Sequence, residues 1–132
     1  IYTGEDTLSL HDALPILTAA RRNIIIEQGA TFTYNLIYKD SEGTPVNLTG
    51  YTARMQVRKN VNSSDTLLDL NTENGAIVLG GSAGTIDITA SATETASINS
   101  KIGAYDLEIE SSSGVVKRLV EGDVTINPEV TR

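Results

Sequence analysis

The chain has 132 residues, with 17 Asp and Glu against 10 Lys and Arg, one histidine and no cysteine. That length is one domain's worth. The net charge of −7 argues against binding a phosphate backbone, which takes clustered Lys and Arg. The absence of cysteine excludes a disulfide framework, a thiolate zinc site and a cysteine nucleophile. No apolar run approaches the roughly 20 residues of a membrane span.

Residues 1–16 stand apart from everything after them. Ile-Tyr-Thr-Gly-Glu-Asp-Thr-Leu-Ser-Leu-His-Asp-Ala-Leu-Pro-Ile resembles the translation of a short-read sequencing adapter. The bases ACT CTT TCC CTA CAC GAC GCT CTT CCG ATC read Thr7 through Ile16, and upstream bases ATC TAC AC begin Ile1, Tyr2 and Thr3. Gly4, Glu5 and part of Asp6 fall where a sample index sits. The stretch is therefore expected to be an artefact and is set aside. With it go His11, Pro15 and three acids, leaving 14 acids against 10 Lys and Arg, a net charge of −4. Read as protein instead, the segment has the spacing of a short amphipathic helix, capped by Thr7 and carrying Leu8, Leu10, Ala13 and Leu14. Residues 17–22 then form an N-terminal arm, and residues 23–132 one domain.

The body of the chain reads as strands. Ile24-Ile25-Ile26, three β-branched residues between polar ones, fits a first strand; docking of the same segment on another subunit is the other reading. Over residues 30–38, Ala30, Phe32, Tyr34, Leu36 and Tyr38 alternate with Thr31, Thr33, Asn35 and Ile37, the period-two pattern of a half-buried strand. A polar turn with Gly43 and Pro45 follows, then a short extension over Val46-Asn47-Leu48. Residues 51–58 alternate again, with Tyr51, Ala53, Met55 and Val57 on one face. A shorter strand covers residues 66–70. Asn74-Gly75 is a hairpin signal, residues 76–79 continue it, and Gly80-Gly81-Ser82-Ala83-Gly84 reads as a flexible hairpin tip before a strand over residues 85–89. It is not a phosphate loop, because no Lys-Ser/Thr pair and no helix follow.

Ser91, with Glu94 three residues on, forms a capping-box pattern and predicts one or two helical turns crossing between sheets. Residues 103–110 return to period two, with Tyr105, Leu107 and Ile109 inward and Asp106, Glu108 and Glu110 outward. Residues 115–126 form a long strand whose periodicity slips near Leu119-Val120, and Gly122 lies mid-run; both suit a bulge. These elements predict an all-β, immunoglobulin-like β-sandwich of about 7–8 antiparallel strands with one short helical crossover. The lack of a Cys…Trp…Cys framework sets it apart from antibody domains.

Catalytic chemistry is sparse. Without His11 the body has neither histidine nor cysteine, so no Ser-His or Cys-His pair can form. The carboxylates Asp106, Glu108 and Glu110, with Glu121 and Asp123, are the one set that calcium or a glycosidase could use. A solvated sheet face explains them more simply, with Lys117 and Arg118 as cross-strand partners. Catalytic, metal and cofactor residues are therefore expected to be absent.

The run from Gln28-Gly29-Ala30-Thr31-Phe32 to Asp40-Ser41-Glu42-Gly43-Thr44-Pro45-Val46-Asn47-Leu48-Thr49-Gly50-Tyr51 and Arg54-Met55-Gln56-Val57-Arg58 resembles small structural proteins of tailed bacteriophages. It is also similar to the immunoglobulin-like N-terminal domain of phage baseplate upper proteins. Gly103-Ala104-Tyr105-Asp106-Leu107-Glu108-Ile109 and the closing Val120-Glu121-Gly122-Asp123-Val124-Thr125-Ile126 fit the same pattern, so the resemblance spans nearly all of residues 23–132. It implies a non-enzymatic virion protein of the tail or baseplate, made in the host cytoplasm. Its partners would be other phage structural proteins and copies of itself, with neither nucleic acid nor membrane. A carbohydrate-binding module and a capsid decoration protein are the alternatives. The candidate contact residues are Arg21, Arg22, Ile24, Ile25, Ile26, Gly80 and Gly81, chosen for exposure and mobility.

Overall fold

The computed structural model describes residues 7–11 as backbone and residues 19–132 in full. Much of the adapter-like stretch, and Leu17 and Thr18 of the arm, lie outside the described residues. The strands in chain order are β1 (Thr7–His11), β2 (Ala20–Arg21), β3 (Ile24–Glu27), β4 (Phe32–Lys39), β5 (Thr52–Arg58), β6 (Thr66–Asn71), β7 (Ile77–Leu79), β8 (Thr85–Ala90), β9 (Ile102–Glu110) and β10 (Val116–Asn127). A five-residue helix, α1 (Ala92–Ala96), joins β8 to β9. The larger sheet runs β2-β10-β9-β5-β6, with β3 also on β10, and the smaller runs β1-β4-β8-β7. The two form a sandwich, as the alternation predicts.

Period two places the core. Phe32, Tyr34, Leu36 and Tyr38 of β4 are buried, as are Ala53, Met55 and Val57 of β5, and Tyr105, Leu107 and Ile109 of β9. Ile86 and Ile88 of β8 and Ile24 and Ile26 of β3 join the layer between the sheets. Burial of such side chains, at about 25 cal/mol per Å² of apolar surface, is the main drive to fold.

Three features depart from the expected pattern. Thr7–His11 is a strand, not a helix, and it pairs parallel with β4 from Thr7↔Asn35 to His11↔Lys39. Alternating Leu8 and Leu10 satisfy a strand as well as a helical turn, and an open sheet edge supplies the backbone partners that a lone helix lacks. β2 and β3 likewise run parallel to β10, so the sandwich is antiparallel except at these two edges. Asn74-Gly75 does not close a hairpin. β6 pairs with β5 in the larger sheet and β7 with β8 in the smaller, so this turn carries the chain from one sheet to the other. The Asn74 side chain holds it, accepting from the Asn71 and Ala76 amides and donating to the Asp69 carbonyl.

The helical crossover forms as its capping box predicts. Ser91 Oγ accepts from the Glu94 amide at 3.1 Å, and the Ser91 amide donates to Glu94 Oε1 at 3.0 Å. Thr95, fully buried, donates to the Ala30 carbonyl and accepts from the Gly29 amide, which pins the helix against the β3–β4 turn. Gln28 ties the same corner to the Ile98 carbonyl and the Glu129 amide.

In β10 the pairing with β9 shifts between Arg118 and Val120. Lys117 and Leu119 face inward before the slip, and Val120, Gly122, Val124 and Ile126 after it, so Leu119 and Val120 are both buried. Gly122 is not the bulge. It lies on the inward face opposite Tyr105, where a Cβ would come within 2.7 Å of the Arg22 carbonyl carbon and closer still to its oxygen. That oxygen accepts a bond from Tyr105 Oη at 2.7 Å, and Tyr105 Oη meets Tyr34 Oη at 2.9 Å. Since Tyr105 spends its proton on Arg22, Tyr34 is the donor between the phenols. Asn23 fills the ladder position left by the turned carbonyl, its side-chain oxygen accepting from the Asp123 amide at 3.0 Å.

Two substitutions test this junction. Gly122→Ala forces backbone apart rather than a side-chain tip, so it is expected to cost about 3 kcal/mol and lower the urea midpoint at unchanged m-value. Tyr105→Phe leaves the turned carbonyl without its donor and is expected to cost about 1–3 kcal/mol by the same measurement.

Candidate functional site

The outer face of the larger sheet gathers the charges. Its rows follow from register: Arg54 stands beside Glu108 and Glu108 beside Arg118; Gln56 beside Asp106, Asp106 beside Glu121, and Glu121 beside Arg21. Alternation on β5, β9 and β10 puts these long side chains outward because their neighbours fill the core. Arg54 pairs with Glu108 at 3.1 Å, and Arg118 with Asp106 at 3.4 Å and Glu121 at 3.2 Å. Arg21 reaches Asp123 at 3.4 Å and Glu121 at 4.0 Å. Arg58 serves structure instead, donating to the Ser63 and Ser64 carbonyls and to Gln56.

A depression of about 490 Å³ opens in this face. It lies where Ala104 stands between Arg58 and Asp123 in the register, a short side chain between long ones. Arg21, Arg54, Arg118 and Asp106 are among the residues on its wall. Burial pushes the Asp106 carboxyl above its usual range; Arg118 and Arg54 oppose the shift, and Glu108 and Glu121 add to it. Burial, reinforced by Tyr34, pushes the Tyr105 phenol far above its usual range, so it remains a hydrogen-bond donor.

The carboxylates expected on one face are therefore there, with Asp106, Glu108, Glu121 and Asp123 each in an ion pair with arginine. Arg118 is a cross-strand partner, as its position suggests. Lys117 is not: the bulge puts it on the inward side, where its ammonium donates to Tyr38 Oη at 3.3 Å. Among the described residues no group of three or more His, Asp or Glu side chains is placed to hold a metal ion, and no helix is long and apolar enough to cross a membrane. Three tyrosines that would serve a sugar platform, Tyr34, Tyr38 and Tyr105, are buried.

The residues singled out as contacts do not form one patch. Arg21 and Arg22 are exposed, and Ile25 is half-buried on the outer side of its strand. Ile24 and Ile26 lie in the core, 1% and 0% exposed: alternation turns them inward, so their side chains cannot meet a partner. Gly80 and Gly81 lie at the other sheet's β7–β8 hairpin, in a tight 3-10 turn (Gly81–Ala83) rather than a loose tip. The Leu48 amide donates to Gly81 and the Tyr38 amide to Gly84, which docks the tip on the chain beneath. Arg54, Arg58 and Ala104, which shape the depression, escape sequence reading because their strands are far apart in the chain. The signal in the sequence was that Arg54, Gln56 and Arg58 share the face opposite Ala53, Met55 and Val57 in the period-two pattern.

The same fold occurs in a phage protein. The N-terminal domain of phage TP901-1 ORF48 superposes with a TM-score of 0.58, covering 92% of this chain and 97% of that one, at 8% identity. Extracellular domains 3–5 of Drosophila OTK match at a TM-score of 0.37 and 17% identity, over 79% of this chain and 32% of that one. At 8% identity the likeness to the phage domain is one of fold. No family model and no curated protein matches the chain.

The raised Asp106 pKa means that the folded chain holds this proton more tightly than the unfolded chain. Ionising Asp106 therefore costs stability above the usual aspartate range, and the cost vanishes as pH falls below it. Asp106→Asn is expected to be at least as stable as the parent chain at pH 7, with the difference fading toward about pH 3, as read by denaturant unfolding at both pH values.

Proposed function

We propose that the chain is a non-enzymatic structural protein of a tailed-phage virion. In this reading it is an adaptor or fibre-attachment domain of the tail or baseplate that works through protein–protein contacts. The observation that carries the reading is the end-to-end fold match to the N-terminal domain of a phage protein. The sequence resemblance of residues 23–132 to phage tail and baseplate components agrees with it. On the outer face of the larger sheet, Asp106, Glu108, Glu121 and Asp123 are paired with arginines, an arrangement that suits a contact surface. A sandwich of this type interacts through its faces and edges, and an edge strand can extend a neighbour's sheet. Repeated use in a particle favours symmetric self-association. Arg21, Arg22 and Ile25, on and beside the β2–β3 edge, and the Gly80–Gly81 turn are the proposed contact points.

In the same reading, residues 1–16 are translated adapter and residues 17–22 an arm that leads into the native domain, its Ala20–Arg21 joining the larger sheet. Peptide mass spectrometry on purified phage particles from the source sample tests both points. Peptides from residues 23–132 in the particle fraction, and none containing Leu8-Ser9-Leu10-His11-Asp12, are the expected result. Body peptides confined to host lysate or culture supernatant would remove the virion role. A particle peptide spanning His11 would remove the adapter reading alone.

A further inference from the structure

We infer that the outer edge of β4, from Asn35 to Lys39, is a strand-acceptor site that takes an extended segment of a neighbouring virion protein in parallel register. The inference rests on the proposed contact role and on the adapter origin of residues 1–16, and it names where a contact is made. Thr7–His11 occupies this edge through five registered pairs. Those residues are the ones whose codons read as adapter, so no selection shaped them to fit β4. An edge that pairs with such a segment asks little of the partner's sequence and recognises backbone, the property that makes edge strands templates for addition.

The strand behind the edge is built to hold its shape. Phe32, Tyr34, Leu36 and Tyr38 anchor its inward face in the core. Its other side is paired with β8 from Phe32 to Ile37, and the Tyr38 amide continues to Gly84 at 2.8 Å. At eight residues β4 offers more length than β7, the three-residue strand at the far side of the same sheet. The cost of ordering the acceptor is thus met in advance, and an incoming segment gives up only its own freedom. The ligand that fits is an extended stretch of about five residues, alternating polar and apolar and free of proline, because each residue that faces the ladder must bring its N–H.

The test uses the full chain and a Ser9→Pro variant, which removes a β1 amide and constrains the strand at its centre. The probe is a fluorescently labelled synthetic peptide, Thr-Leu-Ser-Leu-His, at up to about millimolar concentration. The variant is expected to keep the parent's unfolding midpoint and to bind the peptide, with protection against hydrogen exchange of those amides among residues 35–39 that face the β1 edge; the parent chain is expected to bind at least tenfold more weakly. A folded variant that ignores the peptide overturns the inference, as does one that fills the edge by dimerising. A variant that does not fold overturns it too, because β1 is then part of the fold. The parent chain supplies an independent reading: its β4 amides facing β1 should exchange at least tenfold faster than those facing β8, and equal protection would overturn the inference. The particle peptides test the adapter origin separately, so failure of one reading is distinguishable from failure of the other.

Discussion

One carbonyl group sets the geometry on which both sheets depend. Between β2 and β3 the Arg22 oxygen leaves the edge ladder and turns inward, where Tyr105 Oη donates to it. Tyr105 belongs to the larger sheet and Tyr34, its phenolic partner, to the smaller. A single chain of two hydrogen bonds thus links edge strand, sheet and opposing sheet through the core. Each bond contributes only about 1 kcal/mol net, but an orphaned partner in the same place costs more, so the arrangement is kept whole or not at all. Gly122 admits the carbonyl by having no Cβ, and Asn23 replaces the lost acceptor. No buried side-chain polar atom among the described residues lacks a partner.

From that junction the charged face takes its form. Because β2 pairs with β10 just before Gly122, Arg21 is brought beside Glu121 and Asp123. The remaining pairs follow from the order β10-β9-β5. Exposed ion pairs of this kind contribute little stability, typically 0–1 kcal/mol. Their effect is to neutralise the face, which leaves directional binding to the edges, where backbone groups are presented in a row.

The elements were largely legible and their partners were not. Period two marked β4, β5 and β9, the Ser91–Glu94 spacing marked α1, and the slip at Leu119-Val120 marked the bulge, because each is a local relation between side chains a few residues apart. Asn74-Gly75 misled for the same reason: a turn's chemistry specifies the turn, and whether the next strand stays in the sheet is decided by what it packs against. Ile24 and Ile26 were legible as strand residues, but their burial excludes them from a surface role. Lys117 and Arg118, adjacent in a strand, take opposite faces by alternation, and the bulge that follows decides which of the two faces outward.

By itself the sequence determined a cysteine-free, acidic β-sandwich with a capped helical crossover, since alternation, capping and turn residues act over short distances. The tertiary structure alone decided which strands became neighbours, and with that the parallel edges at β1 and at β2–β3, the arginine–carboxylate rows and the need for glycine at position 122. Those features depend on pairs such as Arg22 with Tyr105 and Arg54 with Glu108, which folding brings together across the chain and no local pattern encodes.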